Sequence, residues 1–519
     1  FAVRPFGQLP ALASLIMKAS LEKPALQTSE EGYGLPSLSD VMENLGMGVT
    51  QFRFGILGGC MWMADGSELL LVGGVTRAVS HEWHLRAWQR GAIVSIVFVG
   101  ILVGNALSGP LGDSTGRRLP ILLSYAGVAL FGACSALTYG FLTLSAVRLM
   151  VGLSIGIGQP SFGALCSEIT PARWRILMNS GAQVLFVTGE IYAIGLIYLE
   201  DPYMRDLNWR RLFILSAIPA AFFGLLAFFF LQQSPSWLSV QGRQDEARRV
   251  LEHMRLENGA HHVSVEFKPS RPVVRGSSLW EAYMRPVRLI YSPRMFYSTV
   301  AVIYSCFTLN VVFYGCLYAF PQVVPTLKMG HTPATTLLVG ALWEFPGFMM
   351  AIICGMYLAR KPAMTAYLLL TCSSLVAFTL GASAGDVEHW APYSLLHGGY
   401  IGIKCFACIG FVCVYQYSTE IYPTEARTTG TAACVAGGRM GGILAPILFE
   451  KIMDITGSFE DFFYCIAVLC AMNLILVFFL PFETYGKKLD DELSPLTKYT
   501  SPPVCINTPR NVSVPHTTS

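Results

Sequence analysis

Asp65 and Glu68 lie in the stretch WMADGSELLL, residues 62–71, inside an apolar run from Phe54 to Val75. At the centre of a membrane helix each carboxylate costs about 2.5 kcal/mol or more if it faces lipid. Their i, i+3 spacing puts both on one helix face, so that face must look into a helix bundle or a wet cavity. A helix starting near Phe54 carries Asp65 about 16 Å deep at about 1.5 Å per residue, near the middle of a hydrocarbon core about 30 Å thick. Five more charged residues stand at membrane depth in other runs: Arg148, Glu190, Glu344, Lys404 and Arg439. Four acids against three bases leave one formal negative charge. Two neighbouring acids cannot both ionise cheaply, so such a set can load a proton on one side and release it on the other. The competing reading is a static network of buried ion pairs that fixes packing, with Arg148 and Lys404 near enough to helix ends to snorkel.

The elements that must position these groups are membrane helices. The chain of 519 residues is 53% hydrophobic and 13% charged, with a mean hydropathy of +0.50, where a soluble protein carries roughly 25% charge. Twelve apolar runs of spanning length extend from 54–76 to 462–481. The sequence divides into an N-terminal segment (1–53), six helices (54–232), a polar linker with one amphipathic helix (233–292), six more helices (293–482) and a polar, Pro-rich tail (483–519) that reads as disordered. In the linker helix Ala247, Val250, Leu251 and Met254 share one face and should pack on the bundle or the membrane surface.

Basic residues set the orientation. With the N-terminus inside, twenty-five lysines and arginines fall on the cytosolic side and eight on the other, so both termini are expected in the cytosol. Plasma membrane and intracellular vesicle fit equally well. The net charge of +3 gives no reason to expect nucleic acid. The fourteen cysteines are irregularly spaced and fall, Cys505 apart, in apolar runs. They read as packing residues rather than as disulfides or metal ligands. No catalytic set, phosphate loop, cofactor motif or metal motif is present; GLSIG, residues 152–156, matches a nucleophile elbow in letters but lies within a membrane helix.

The two halves repeat. SEITPARWR (167–175) and TEIYPTEAR (419–427) share Glu-x-x-Pro-x-x-x-Arg after the fourth helix of each half, and GRR (116–118) is echoed by ARK (359–361) after the second. Repeats at matching positions suggest two pseudo-symmetric bundles around a midplane site. Asp113, Gly116, Arg117, Arg118, Glu168, Arg175, Glu420 and Arg427 then gather at the inner helix ends. There, Arg–carboxylate pairs can make and break as a switch. Trp62, Phe313, Tyr314, Trp343 and Tyr415 could wall a site for an organic ion by stacking or cation–π contact, or be ordinary packing. The glycines of GGRMGG (437–442) read as close-packing and hinge positions.

GPLGDSTGRR (109–118), RLMVGLSIGIG (148–158) and PFETYG (481–486) resemble signatures of the major facilitator superfamily in its sugar-porter and organic-ion branches. WMADGSE, FYG (313–315), WEFPG (343–347), VYQYSTEIYPTEAR (414–427) and the amphipathic LSDVMENLGMGVTQF (38–52) resemble the synaptic vesicle 2-related group. The resemblance implies an all-α membrane protein of twelve helices in two six-helix bundles. It implies a monomer that moves a small organic solute by alternating access, with protons and the bilayer as its other partners. It also places Asp113 near the start of the eleventh helix. Uncoupled uniport or exchange, or a receptor or scaffold with a transporter fold, are the alternatives. The sequence departs from the pattern at Gln233, where the branch carries Glu, at Ser236, where it carries Arg, and at Met356 and Ala359. The inner lock should therefore be stronger in the first half.

Overall fold

A computed structural model describes residues 35–268, 279–327, 329–384, 390–422, 426–481 and 483–484. The proposed disordered tail lies almost wholly outside these residues. Among the described residues twelve helices are long and apolar enough to cross a membrane, arranged as two pseudo-symmetric bundles of six. A short helix α1 (Leu38–Leu45) precedes the first bundle, which comprises α2 (Val49–Trp83), α3 (Ala87–Thr115), α4 (Arg118–Cys134), α5 (Phe141–Ile169), α6 (Arg175–Glu200) and α7 (Trp209–Phe230). The linker adds α8 (Pro235–Val240), α9 (Gln244–Glu257) and α10 (Leu279–Ile290). The second bundle is α11 (Phe296–Val323), α12 (Pro333–Tyr357), α13 (Arg360–Ser383), α14 (Trp390–Glu420), α15 (Arg427–Thr456) and α16 (Glu460–Phe478). The bundles meet where α3 packs on α15, α6 on α12 and α2 on α11.

Close approach within the first bundle depends on missing side chains. A Cβ on Gly152 of α5 would lie 2.0 Å from the Val97 carbonyl oxygen of α3, and one on Gly156 would lie 2.3 Å from that of Ile101. Small residues let backbones of membrane helices touch, which is where helix association in lipid gains its dispersion energy. Gly152→Val should separate α3 from α5 and cost roughly 3 kcal/mol, read as a lowered unfolding temperature in detergent; an unchanged midpoint would count against this contact.

The halves are also capped alike. The Gln233 side-chain oxygen after α7 accepts from the backbone N–H groups of Arg117 (2.9 Å) and Arg118 (3.2 Å) at the start of α4. In the second half the Glu483 carboxylate accepts from the N–H groups of Arg360 (2.9 Å) and Lys361 (3.0 Å) at the start of α13. Both close orphan donors of a helix N-terminus, so Gln233 keeps the capping geometry without the charge. Gly116, at φ +89°, makes the turn beside it, and a Cβ there would strike the Gln233 amide.

The linker helix α9 lies on the first bundle. Ala247, Leu251 and Met254 are fully buried, as the one-faced pattern requires. Asn258 and Glu257 take the Thr50 N–H (3.1 Å) and hydroxyl (2.7 Å), and Glu257 also pairs with Arg53. These contacts fix the N-terminal end of α2, and hence the depth of Asp65.

Candidate functional site

The seven intramembrane charges sort into three sets. Arg148 of α5 donates through Nη1 to Glu68 Oε2 at 2.6 Å, while the Ser216 hydroxyl of α7 donates to Glu68 Oε1 at 2.7 Å. The guanidinium also contacts the Ser135 hydroxyl and lies 4.3 Å from the Phe213 ring centre. Glu68 and Arg148 are both 1% exposed or less. All these partners belong to the first bundle, so this set is an internal brace.

Asp65 turns the other way. Its Oδ2 accepts from Gln159 Nε2 at 2.9 Å, and Gln159 Oε1 accepts from Arg439 Nη2 at 2.7 Å. Gln159 therefore relays between an acid of the first bundle and a base of the second. Arg439 also donates to the Tyr314 hydroxyl at 3.3 Å. Asp65 Oδ1 and Arg439 Nε have no hydrogen-bond partner. Although Asp65 and Glu68 start from one face of α2, their side chains serve different neighbours. In the third set Lys404 of α14 donates to Glu190 of α6 at 3.0 Å and pairs with Glu344 of α12.

Between the bundles lies a cavity of about 500 Å³ that runs from Arg439, Tyr314, Gln159 and Trp62 to Arg175, Gln416 and Thr419 at the end bearing the linker. Phe411 and Tyr415 complete an aromatic wall, the two rings stacked at 5.9 Å. Among the described lining residues none is acidic, and the two charged ones are Arg175 and Arg439. Phe313 stands behind the wall, its ring 5.8 Å from Lys404 Nζ. Trp343 corrects an expectation: it is 44% exposed on the outside of the second bundle. One residue along α12 turns the side chain by about 100°, which buries Glu344 and puts Trp343 on the lipid face.

The far end is closed. Glu450 of α15, 1% exposed, accepts from Arg90 of α3 (2.8 Å from Nε) and from the Tyr318 hydroxyl (2.6 Å). Nearby the Ser95 hydroxyl donates to the Ile443 carbonyl at 2.6 Å, and the Ala334 N–H to that of Pro202 at 3.2 Å. The sequence reading missed this clasp, and also Gln159; the available signal was an acid and an amide closing or interrupting long apolar runs. Arg90→Ala should loosen the clasp and raise labelling of a Val94→Cys probe by an impermeant thiol reagent roughly tenfold, for about 1.4 kcal/mol of lost closure. Equal labelling with and without Arg90 would show that the clasp does not hold the gate.

Among the described residues, the ion pairs of Arg117 and Arg360 at the linker end each stay within one half. Arg117 pairs with Asp113 (2.9 Å) and Glu168 (3.0 Å). Arg360 pairs with Glu420 (3.0 Å), which also accepts from Gln416 and the Thr484 hydroxyl. Arg117–Glu168 in the first half thus has its counterpart in Arg360–Glu420 in the second, and Met356 in place of an acid leaves Arg360 without the equivalent of Asp113. Glu420 is held by Arg360 rather than by Arg427, which begins α15. Asp113 is two-thirds exposed beside Arg117. Arg118 anchors α4 to the end of α7 through the Phe228 carbonyl at 2.5 Å, which makes it a bundle contact. Arg175 donates to the Thr170 carbonyl at 3.2 Å and faces the cavity.

The comparisons with known proteins agree with this architecture. Residues 49–492 match the model of the sugar (and other) transporter family. The chain is 25% identical to the synaptic vesicle 2-related protein of Xenopus laevis, over 88% of this chain and 82% of that protein. It is 28% identical to organic cation/carnitine transporter 7 of Arabidopsis thaliana, over 86% and 95%. Among solved structures it resembles the inward open conformation of the xylose transporter XylE from E. coli, with a TM-score of 0.66 at 17% identity, over 86% of this chain and 99% of that one. The Arabidopsis relative and the bacterial structure are named as transporters. A matched model over most of the length, two six-helix bundles and a cavity between them make this chain a member of the sugar (and other) transporter family, within the major facilitator superfamily.

Proposed function

We propose that the protein carries a small organic ion across a membrane by alternating access, coupled to protons as a symporter. The observation that supports this reading most is the Asp65–Gln159–Arg439 relay at the head of the cavity. An acid of one bundle and a base of the other share a single amide, and the base faces the solute space. A solute carboxylate on Arg439 would loosen its hold on Gln159, and Asp65 would then hold or release a proton as the bundles rearrange. The lining suits a solute with an anionic group for Arg439 and a ring or quaternary ammonium group for the aromatic wall. The excess of lysine and arginine at the linker end supports a cytosolic position for it; the cavity then faces inward and the Arg90–Glu450 clasp closes the outer side.

The relatives' names make carnitine and xylose sensible first probes. Carnitine combines a carboxylate with a trimethylammonium group and so tests both ends of the cavity. The full chain in proteoliposomes should exchange labelled solute in counterflow, and a thermal-shift screen of organic ions extends the set of probes. Arg439→Gln should weaken binding of a carboxylate solute about tenfold or more, the loss expected for one charge-assisted contact. If ligands stabilise the protein but none is ever exchanged, a receptor with a transporter fold replaces this reading.

A further inference from the structure

Lys404 Nζ stands between two carboxylates from opposite halves. Glu190 comes from α6 in the first bundle and Glu344 from α12 in the second. Both acids are fully buried and Lys404 is 6% exposed. The three lie on the seam where α6 packs against α12, and none of them lines the solute cavity. The two carboxylates thus face one ammonium from opposite sides of the seam, close enough for each to act on the other's charge. Glu190 Oε1 and Glu344 Oε2 each lack a hydrogen-bond donor.

Fully ionised, this set carries one surplus negative charge in a dry interior. Its titratable neighbours are Tyr400, Cys405 and Cys408 on α14 and Cys316 and Tyr314 on α11. None of these is a cation, and the nearby Arg439 on α15 is engaged with Gln159 and Tyr314. Buried charge that lacks a counter-ion is neutralised by taking up a proton, and two acids sharing a site keep one.

We infer that Glu190 and Glu344 share one proton over Lys404, so the seam is a proton-binding site separate from the solute cavity. Water on the accessible side supplies the proton, an O–H bond forms on one carboxyl oxygen, and the set goes from one negative charge to none. The proton gives the two orphaned oxygens a donor between them. When α6 parts from α12 and α14, Lys404 stays with Glu344 as a neutral pair. Glu190 leaves with the proton, which passes to water once water reaches it. The release step rests on the alternating-access reading above; the shared proton does not.

Infrared spectra of the full chain in lipid, in water and in heavy water, test this with the proton itself as probe. The wild type should show a protonated-carboxyl C=O band that either Glu190→Gln or Glu344→Gln removes, because one Glu and Lys404 already balance. The double variant should remove no more than either single one. Lys404→Met should raise the band by about one further carboxyl, since two acids without a cation both protonate; a merely structural lysine would not do this. Asp65→Asn should leave the seam band in place. Undiminished intensity in both single Gln variants overturns the inference, and these two decide the matter alone if Lys404→Met does not fold. Absence of solute exchange leaves the band's assignment intact, and absence of the band leaves solute exchange intact.

Discussion

Arg148→Ala should destabilise the protein by about 3–5 kcal/mol, the cost of leaving a buried partner charge uncompensated. Glu68 would keep the Ser216 hydroxyl, 2.7 Å away, as its donor in a dry interior. The Phe213 ring and the Ser135 hydroxyl would lose the guanidinium they pack against. The brace joins α2, α5 and α7, so its loss should loosen the first bundle as a whole. Thermal unfolding of the full chain in detergent reads the effect directly. Replacing both charges, as Glu68→Gln with Arg148→Met, should recover much of the loss, because the desolvation penalty goes with the pair. Wild-type stability in Arg148→Ala would mean that water or another cation reaches Glu68.

Asp65→Asn should abolish solute accumulation driven by a pH gradient while sparing counterflow. Asparagine keeps the shape of the aspartyl side chain and can still pair with the Gln159 amide after a flip, so the cavity and Arg439 stay in place. What disappears is the carboxyl of the proposed relay, the one beside Gln159 and Arg439. A fall in gradient-driven uptake of about tenfold or more is expected, within the usual range for the coupling of two sites. Uptake in vesicles with an imposed gradient, compared with exchange at equal pH, separates the two effects. Unchanged pH dependence in the variant would remove Asp65 from the coupling step and leave the relay a positioning device for Arg439.

Much of the architecture was legible in the order of residues. Twelve apolar runs and two copies of Glu-x-x-Pro-x-x-x-Arg already imply two bundles, because hydrophobic length and repeat position are local properties of the chain. The buried charges were legible for the same reason: a carboxylate in an apolar run stands out wherever its helix turns. Their partners were not. Asp65 and Glu68 are three residues apart, yet Glu68 is held by Arg148, eighty residues away, and Asp65 reaches Arg439 through Gln159.

The sequence also named Glu190, Glu344 and Lys404 separately, with no hint that one ammonium would sit between two acids from opposite halves. Trp343 and Glu344 show the same limit at single-residue scale, since rotation about α12 alone sends one to lipid and the other to the seam. By itself, then, the sequence determined the number of helices, their repeat and which residues carry uncomfortable charge. Tertiary structure decided which charges neutralise one another, because pairing depends on helix rotation and crossing. Those in turn follow from close contacts such as Gly152 against Val97 that no spacing rule encodes.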